Sequence, residues 1–342
     1  MLYNKNILML FSIIIPTKIE NRTYSYFKSC INSLVDQTLN YSYFEIIIID
    51  NGSKKKINPF LKQINKKLNN IKLISFKKEI GPGIARNYGI KKAKGEFLVF
   101  LDSDDLLPNY CLEEYYKVIK KKNIDIITSN WTYINSNKPE RKDFKYLNKG
   151  RLNLIKKFIS MNFDGSVIFT IVKKKIFVDN RIVFPKGYHE DIFIIFKKFF
   201  FSKSVKVLDK IMYLKRNNRY SIMNSFDEKR IIGYLNSWRL IKKFLIKKFG
   251  KTDFSKIFET YFVKGIYGIV AIMILENKRL NKLKKKETDI NMKIASLTKK
   301  FFNQDIKRNR LRNRTFYDKI AKGLIENYIL FNQNFSNKSN KI

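Results

Sequence analysis

The sequence predicts an α/β fold: a sheet of largely parallel strands flanked by helices, followed by a basic helical C-terminal region. Three observations carry this reading. Short apolar runs alternate with helix-spaced segments through the first 110 positions, the pattern of right-handed βαβ units. The runs are almost continuously apolar, as strands buried on both faces require. Several of them stop abruptly at polar residues, at the carboxyl ends where open α/β sheets bind ligands.

Phe11–Ile15 is the first strand, ended by Pro16, with Thr17–Arg22 as the loop at its carboxyl end. A helix follows over about Tyr24–Gln37, with Phe27, Ile31, Leu34 and Val35 at helical spacing. The second strand, Phe44–Ile49, stops at Asp50-Asn51-Gly52-Ser53, where Asn and Gly tolerate positive φ. A carboxylate placed like Asp50 can accept hydrogen bonds from a ribose or a base. A basic amphipathic helix over about Pro59–Leu68 leads to a third strand, Ile71–Phe76. Next comes Gly81-Pro-Gly-Ile-Ala-Arg-Asn-Tyr-Gly89. Its glycines let backbone approach a ligand, and the helix beginning near Ile84 offers its N-terminus to anions. Arg86 could add a charge-assisted bond to a phosphate; a plain loop and helix cap would use the same residues.

The fourth strand, Phe97–Leu101, ends in Asp102, Asp104 and Asp105 with Ser103 among them. Carboxylates this close raise one another's pKa unless a cation lies between them. Oxygen-rich clusters suit Mg²⁺ or Mn²⁺, which commonly bridge to substrate phosphates. The alternative is a solvated turn whose Asp caps the helix after Pro108. No Gly-x-Gly-x-x-Gly follows strand one, and there is no Walker loop.

Composition narrows the partners. Of 342 residues 44% are hydrophobic and 15% aromatic, enough for a packed core. Lys+Arg number 70 against 29 Asp+Glu, a net charge of +41. Nucleic acid, an anionic membrane surface or a phosphorylated substrate would each suit such a charge. So would the codon bias of an A/T-rich genome, since the chain is rich in Lys, Ile, Asn and Phe. The basic residues are spread along the chain with no zinc-finger or RNA-recognition signature, which argues against nucleic acid. Cys30, Cys111 and His189 are the only Cys and His residues. They cannot assemble a Cys/His zinc site, and two distant cysteines suit a reducing cytoplasm. No Gly-x-Ser-x-Gly elbow supports a serine hydrolase. The apolar run Ile7–Ile15 lacks a signal-peptide cleavage site, and Phe262–Leu275 contains Lys264 and is too short to span a bilayer. No transmembrane helix is predicted.

Four segments, Ser12–Thr17, Phe44–Ser53, Gly81–Gly89 and the strand ending at Asp102-Ser-Asp-Asp105, resemble the family 2 glycosyltransferases in order and spacing. The resemblance spans roughly residues 10–110. It implies a GT-A fold, a Rossmann-like mixed sheet, with a nucleotide-diphosphate sugar as donor, Mn²⁺ or Mg²⁺ as cofactor, and inversion at the anomeric carbon. By the same resemblance Pro16, Thr17, Glu20, Asp50, Arg86 and Asp102 contact the nucleotide, and Asp102 and Asp104 hold the metal. Lys186-Gly-Tyr-His-Glu-Asp-Ile-Phe193 resembles the family's Glu-Asp motif. Asp191 is then the general base, with Glu190 supporting it or binding acceptor, at a helix start that favours acids in any case. Tyr213–Ser221 resembles a Tyr-x-x-Arg…Ser segment whose Arg216 or Arg219 would close on the diphosphate. A late histidine completes the metal sphere in some GT-A enzymes; His189 is read instead as lining the acceptor pocket or as structural.

The implied organisation is a nucleotide-sugar half at 1–110, an acceptor half at 111–225, a helical extension at 226–331 and a disordered tail at 332–342. The expected reaction moves a sugar, from a UDP-sugar by preference, to a bacterial surface glycan or lipid-linked acceptor. The expected location is cytoplasmic. The basic helix Trp238–Phe249 and the charge runs Lys278–Lys286 and Lys307–Arg314 are either solvated faces or a peripheral dock on the anionic inner leaflet. Two other classes stand beside this one. A nucleic-acid-binding protein would explain the charge. A catalytically inactive, sugar-nucleotide-binding scaffold subunit of a polysaccharide assembly complex would be expected to have lost the aspartates that this chain retains. Within the enzymes, a nucleotidyltransferase would need a Gly-rich basic loop after strand one, which Thr17–Arg22 is not.

Overall fold

A computed structural model describes residues 9–136, 138–139, 151–159, 166–217 and 228–280. The chain divides into two compact units, Met1–Ile290 and Asn291–Ile342, the second lying outside the described residues. In the first unit β1 (Phe11–Thr17), β2 (Phe44–Asn51), β3 (Ile71–Phe76) and β4 (Phe97–Phe100) alternate with α1 (Tyr24–Val35), α2 (Asn58–Leu68) and α3 (Pro82–Lys92). Then follow α4 (Cys111–Lys121), β5 (Ile126–Tyr133), α5 (Arg151–Ile159), β6 (Thr170–Lys173) and α6 (Lys174–Asp179). The series closes with α7 (Glu190–Phe201), β7 (Val205–Lys215) and α8 (Glu228–Leu280). Gly250, at φ 79° and ψ 164°, interrupts α8, so it is two helices in sequence.

The strands form one sheet in the order β3-β2-β1-β4-β6-β5-β7. β1 to β4 are mutually parallel where they pair, as the alternation predicts. β6 runs antiparallel to both β4 and β5, and β7 is parallel to β5. The sheet is therefore mixed. Strand periodicity divides its core into two layers. Ile13, Ile15, Ile46, Ile48 and Val99 share a cluster with Phe27 and Leu34 of α1, Leu61 of α2 and Leu112 and Tyr115 of α4. The intervening residues face the other side. There Ile14 meets α3 so closely that a Cβ on Gly89 would lie 2.3 Å from its side chain. Phe100 packs there against Phe177 of α6 and Phe184.

The amino ends of the strands are stapled by a polar cluster that hydropathy cannot show. Buried Glu45 accepts from Ser12 Oγ at 2.7 Å, from Lys72 Nζ at 2.6 Å and from the Lys94 amide. Burial works to raise its pKa, but the bonds from Lys72, Lys94 and Ser12 outweigh it and hold the carboxyl below its ordinary value. A depressed carboxyl contributes stability above its unfolded pKa and loses it as pH falls through the folded one. Glu45→Gln should cost about 1–3 kcal/mol near neutral pH, measured by denaturant unfolding. The gap to wild type should close below about pH 4. A constant gap across that range would exclude the charge as its source.

Candidate active site

The opposite, carboxyl edge collects the residues with chemistry. Thr17 and Asp50 are register partners at the ends of β1 and β2. Asp50 accepts from the Ser53 amide at 2.9 Å, closing the turn that Gly52 permits at φ 77°. The Thr17 hydroxyl is buried and makes no hydrogen bond within the protein. Pro16 is half-buried beside it. Glu20 pairs with Arg22 at 3.0 Å, and these two line an open cleft with Asn21 and Lys54. The loops after β1 and β2 thus meet at one surface.

Asn51, the last residue of β2, accepts from the amides of Ile80 at 2.6 Å and Gly81 at 3.2 Å. Gly81 takes φ 89°, open to glycine but strained for other residues, and releases the chain into α3. One face of α3 docks the approach to the acidic pair. Asn87 Nδ2 donates to the Phe184 carbonyl at 2.8 Å, and the Phe184 amide donates back to Asn87 Oδ1 at 2.9 Å. A Cβ on Gly83 would lie 2.6 Å from Glu190 Cγ. In the sequence Asn51 reads as a turn residue, and Gly83 and Asn87 as part of a glycine-rich loop and helix start. Asn and Gly at these points are the sole sequence trace of their docking role.

Arg86 joins the two acidic elements. Its Nη2 donates to Asp102 Oδ1 at 3.0 Å and its Nη1 to Glu190 Oε1 at 2.9 Å. The guanidinium is 9% exposed and lies over the Phe184 ring. The group that the sequence directs at a phosphate is here held between two carboxylates. Burial raises the pKa of Glu190 and of Asp191, and Arg86 opposes it in both. Both stand at the start of α7, whose first turn carries no other acids.

The turn after β4 separates its three aspartates. Buried Asp105 accepts from Tyr213 Oη at 2.6 Å and from the Arg216 amide at 2.7 Å. Burial, then the charges of Asp102 and Asp104, push its carboxyl up to about 7. The Asp102 amide donates to the same Tyr213 oxygen at 3.3 Å, and the Cys30 thiol reaches the Asp102 carbonyl at 3.6 Å. Arg216 Nε donates to the Asp104 carbonyl at 2.9 Å, with its guanidinium over the Tyr26 ring. Tyr213 and Arg216, one strand end, therefore build the turn that presents Asp102 and Asp104, both half-exposed. Arg219 lies outside the described residues.

His189 lies at the entry to α7. It takes a left-handed conformation, φ 55°, just before α7. Its carbonyl accepts from Ser237 Oγ at 2.9 Å, and its ring lies 3.8 Å from that of Tyr234. Gly233 lets α8 come this close, since a Cβ there would meet the Tyr188 carbonyl at 2.5 Å. The histidine thus joins the acidic helix to α8.

Among the described residues no three His, Cys, Asp or Glu side chains are grouped to hold an ion by themselves. Asp102 and Asp104 nevertheless suit a hard divalent cation. They are oxygen donors in a turn whose crowded negative charge already shows in Asp105. Two carboxylates leave most of an octahedral sphere to phosphate and water, the usual arrangement for Mg²⁺.

A family model described as glycosyl transferase family 2 matches residues 12–179, from β1 to the end of α6. This chain belongs to that family. Sequence relatives of this family 2 glycosyltransferase include the putative glycosyltransferase EpsH of Bacillus subtilis, 27% identical over 250 residues, covering 70% of this chain and 71% of EpsH. Another is the poly(ribitol-phosphate) beta-glucosyltransferase of Bacillus spizizenii, 33% identical over 162 residues. That match covers 46% of this chain and 24% of the relative, so the chain spans about a quarter of that protein's length. Among solved structures, S. aureus TarS 1-349 in complex with UDP-GlcNAc superposes with a TM-score of 0.57 at 20% identity, covering 87% of this chain and 92% of that one. That likeness establishes the fold, a GT-A-like mixed sheet. No helix among the described residues is long and apolar enough to cross a membrane.

Proposed function

We propose that the chain is an inverting transferase that moves a sugar from a UDP-sugar to a hydroxyl of a surface glycan, with Asp191 as general base. One observation supports this most. Arg86 brings the Asp102 turn and the Glu190-Asp191 helix start, 88 residues apart in sequence (190 − 102), to one guanidinium at a sheet's carboxyl edge. A donor end and a base end within one side chain's reach are what a single displacement needs.

An acceptor hydroxyl has a pKa far above neutrality, so its attack needs a positioned base. Burial lifts Asp191 towards the range of an effective base, while Arg86 keeps it ionisable. In the proposed step the hydroxyl oxygen attacks the anomeric carbon, its proton passes to Asp191, and the bond to the diphosphate breaks with its electrons leaving on UDP. Backside attack inverts the centre with no enzyme-bound intermediate. Glu190, hydrogen-bonded to Arg86, orients the helix start. Asp102 and Asp104 would hold Mn²⁺ or Mg²⁺. When bound, the ion supplies positive charge against the leaving diphosphate. Thr17 and Asp50 stand where a nucleoside would be bound, and the free Thr17 hydroxyl suits such a contact.

UDP is favoured because the TarS structure of the same fold holds UDP-GlcNAc. Relatives named for poly(ribitol-phosphate) transfer point to a polyanionic glycan acceptor, and a net charge of +41 has the sign to attract one. Calorimetry of the full chain with UDP, followed by UDP release from a panel of UDP-sugars, tests the reading. Binding strengthened at least about tenfold by Mn²⁺, with turnover of one sugar nucleotide, is the expected result. Absence of UDP binding with and without metal would overturn it.

A further inference from the structure

α7 carries a second charged group that this mechanism leaves unused. Lys198 lies two turns beyond Asp191, on the same helical face, and is fully buried. Most of its neighbours along the helix, Ile194, Ile195, Phe199 and Phe200, are core residues. Such a place normally excludes an ammonium. Its Nζ donates to Thr170 Oγ1 and, at 3.4 Å, to the Ser166 carbonyl. Those acceptors frame the turn Val167–Phe169 that enters β6. Phe169 stacks on Trp131 and meets the Tyr213 ring edge-on at 5.2 Å, and Tyr213 holds Asp105 and the Asp102 amide. One amine therefore ties the helix bearing the base to the turn supporting the aspartates.

We propose that Lys198 is a positioning residue for the transfer step: its buried amine pins α7 to the turn entering β6, two turns along the helix from Asp191. This rests on the proposed role of Asp191. The charged groups acting on Asp191 are Arg86 from α3, Asp102 from the end of β4, and Glu190 and Lys198 on its own helix. The charge acting on Lys198 is that of Asp191. Burial pulls the amine down to about 7. Lysine here is thus poorly suited to stability, as residues retained for function often are.

The test is Lys198→Met, with Thr170→Val as a second variant that removes an acceptor and keeps the amine. A residue held only for structure should lower the melting temperature when lost. Methionine fills the same space without a buried charge, so the melting temperature should stay level or rise by about 2–4 °C. UDP affinity should remain within about twofold of wild type, while kcat falls about tenfold or more. Without the ammonium the Asp191 carboxylate is less favoured, so the acid limb of the kcat profile should move to higher pH in Lys198→Met. Thr170→Val should lower kcat in the same direction. A Lys198→Met enzyme with unchanged kcat and pH profile would overturn the inference, as would a lower melting temperature with kcat intact. If Asp191→Asn itself turns over normally, the base assignment fails; if that variant is dead while Lys198→Met behaves as wild type, only the positioning role fails.

Discussion

Asp191→Asn is expected to lower the transfer rate by about 10²–10⁴-fold, the usual worth of a positioned general base. The substitution keeps the shape of the helix start and removes the atom that takes the proton. In the proposed reaction Asp191 serves the acceptor and Asp102 and Asp104 the donor, so UDP affinity should be nearly unchanged. The pH dependence has a definite sign. Burial raises Asp191 above its ordinary value, so the base is protonated, and the rate falls, as pH drops through a range higher than that of an exposed aspartate. Residual activity in Asp191→Asn should lack this acid limb. Single-turnover kinetics across pH 4–8 (a span of about four units around the carboxylate range) would show both effects. A variant with near-normal turnover would refute the assignment.

Arg86→Met should be the most damaging single change to stability at the site, by about 3–5 kcal/mol. The cost comes from what remains. Glu190, 11% exposed, and Asp102 lose their shared partner, and Asp191 loses the positive charge that most opposes its burial. Glu190, the more deeply buried of the pair Arg86 bridges, must then take up a proton or draw in water. Denaturant unfolding measures the loss, and activity should disappear with it. Arg86→Lys is the more informative variant, because one ammonium cannot span both carboxylates as the guanidinium fork does. It should retain the fold, lose much of kcat, and keep UDP affinity within a few-fold. A large loss of UDP affinity with kcat preserved would instead identify Arg86 as a phosphate ligand.

These two residues show unequally in the sequence. The place of Asp191 at a helix start was legible because an acidic pair opening a helix is a local feature. Arg86 was legible as a charge near glycines but not as a bridge, since its partners lie 16 and 104 residues away. Asp105 is a similar case. As a string, Asp102-Ser-Asp-Asp105 presents three equivalent carboxylates. In the fold, Tyr213 and the Arg216 amide withdraw Asp105 into the interior and leave the other two outside. Neither the periodicity nor the motifs gave Glu45 or Lys198 a role, although Glu45 lies within the matching segment Phe44–Ser53. Each is a polar residue in an apolar run, and only its neighbours explain it.

By itself the sequence determined the alternation of strands and helices in the first half, the carboxyl ends at which its polar residues gather, and the family. Those properties follow from short-range patterning: apolar runs with a strand's length, helix-spaced segments, and turn residues that tolerate special dihedrals. The tertiary structure alone decided that β6 reverses direction between β4 and β5, that α8 closes over the start of α7, and that Arg86, Tyr213 and Lys198 tie the two acidic elements together. The physical reason is that hydrogen bonds and charge pairs between distant segments are fixed by packing geometry. No local run of residues encodes which buried carboxylate will meet which cation.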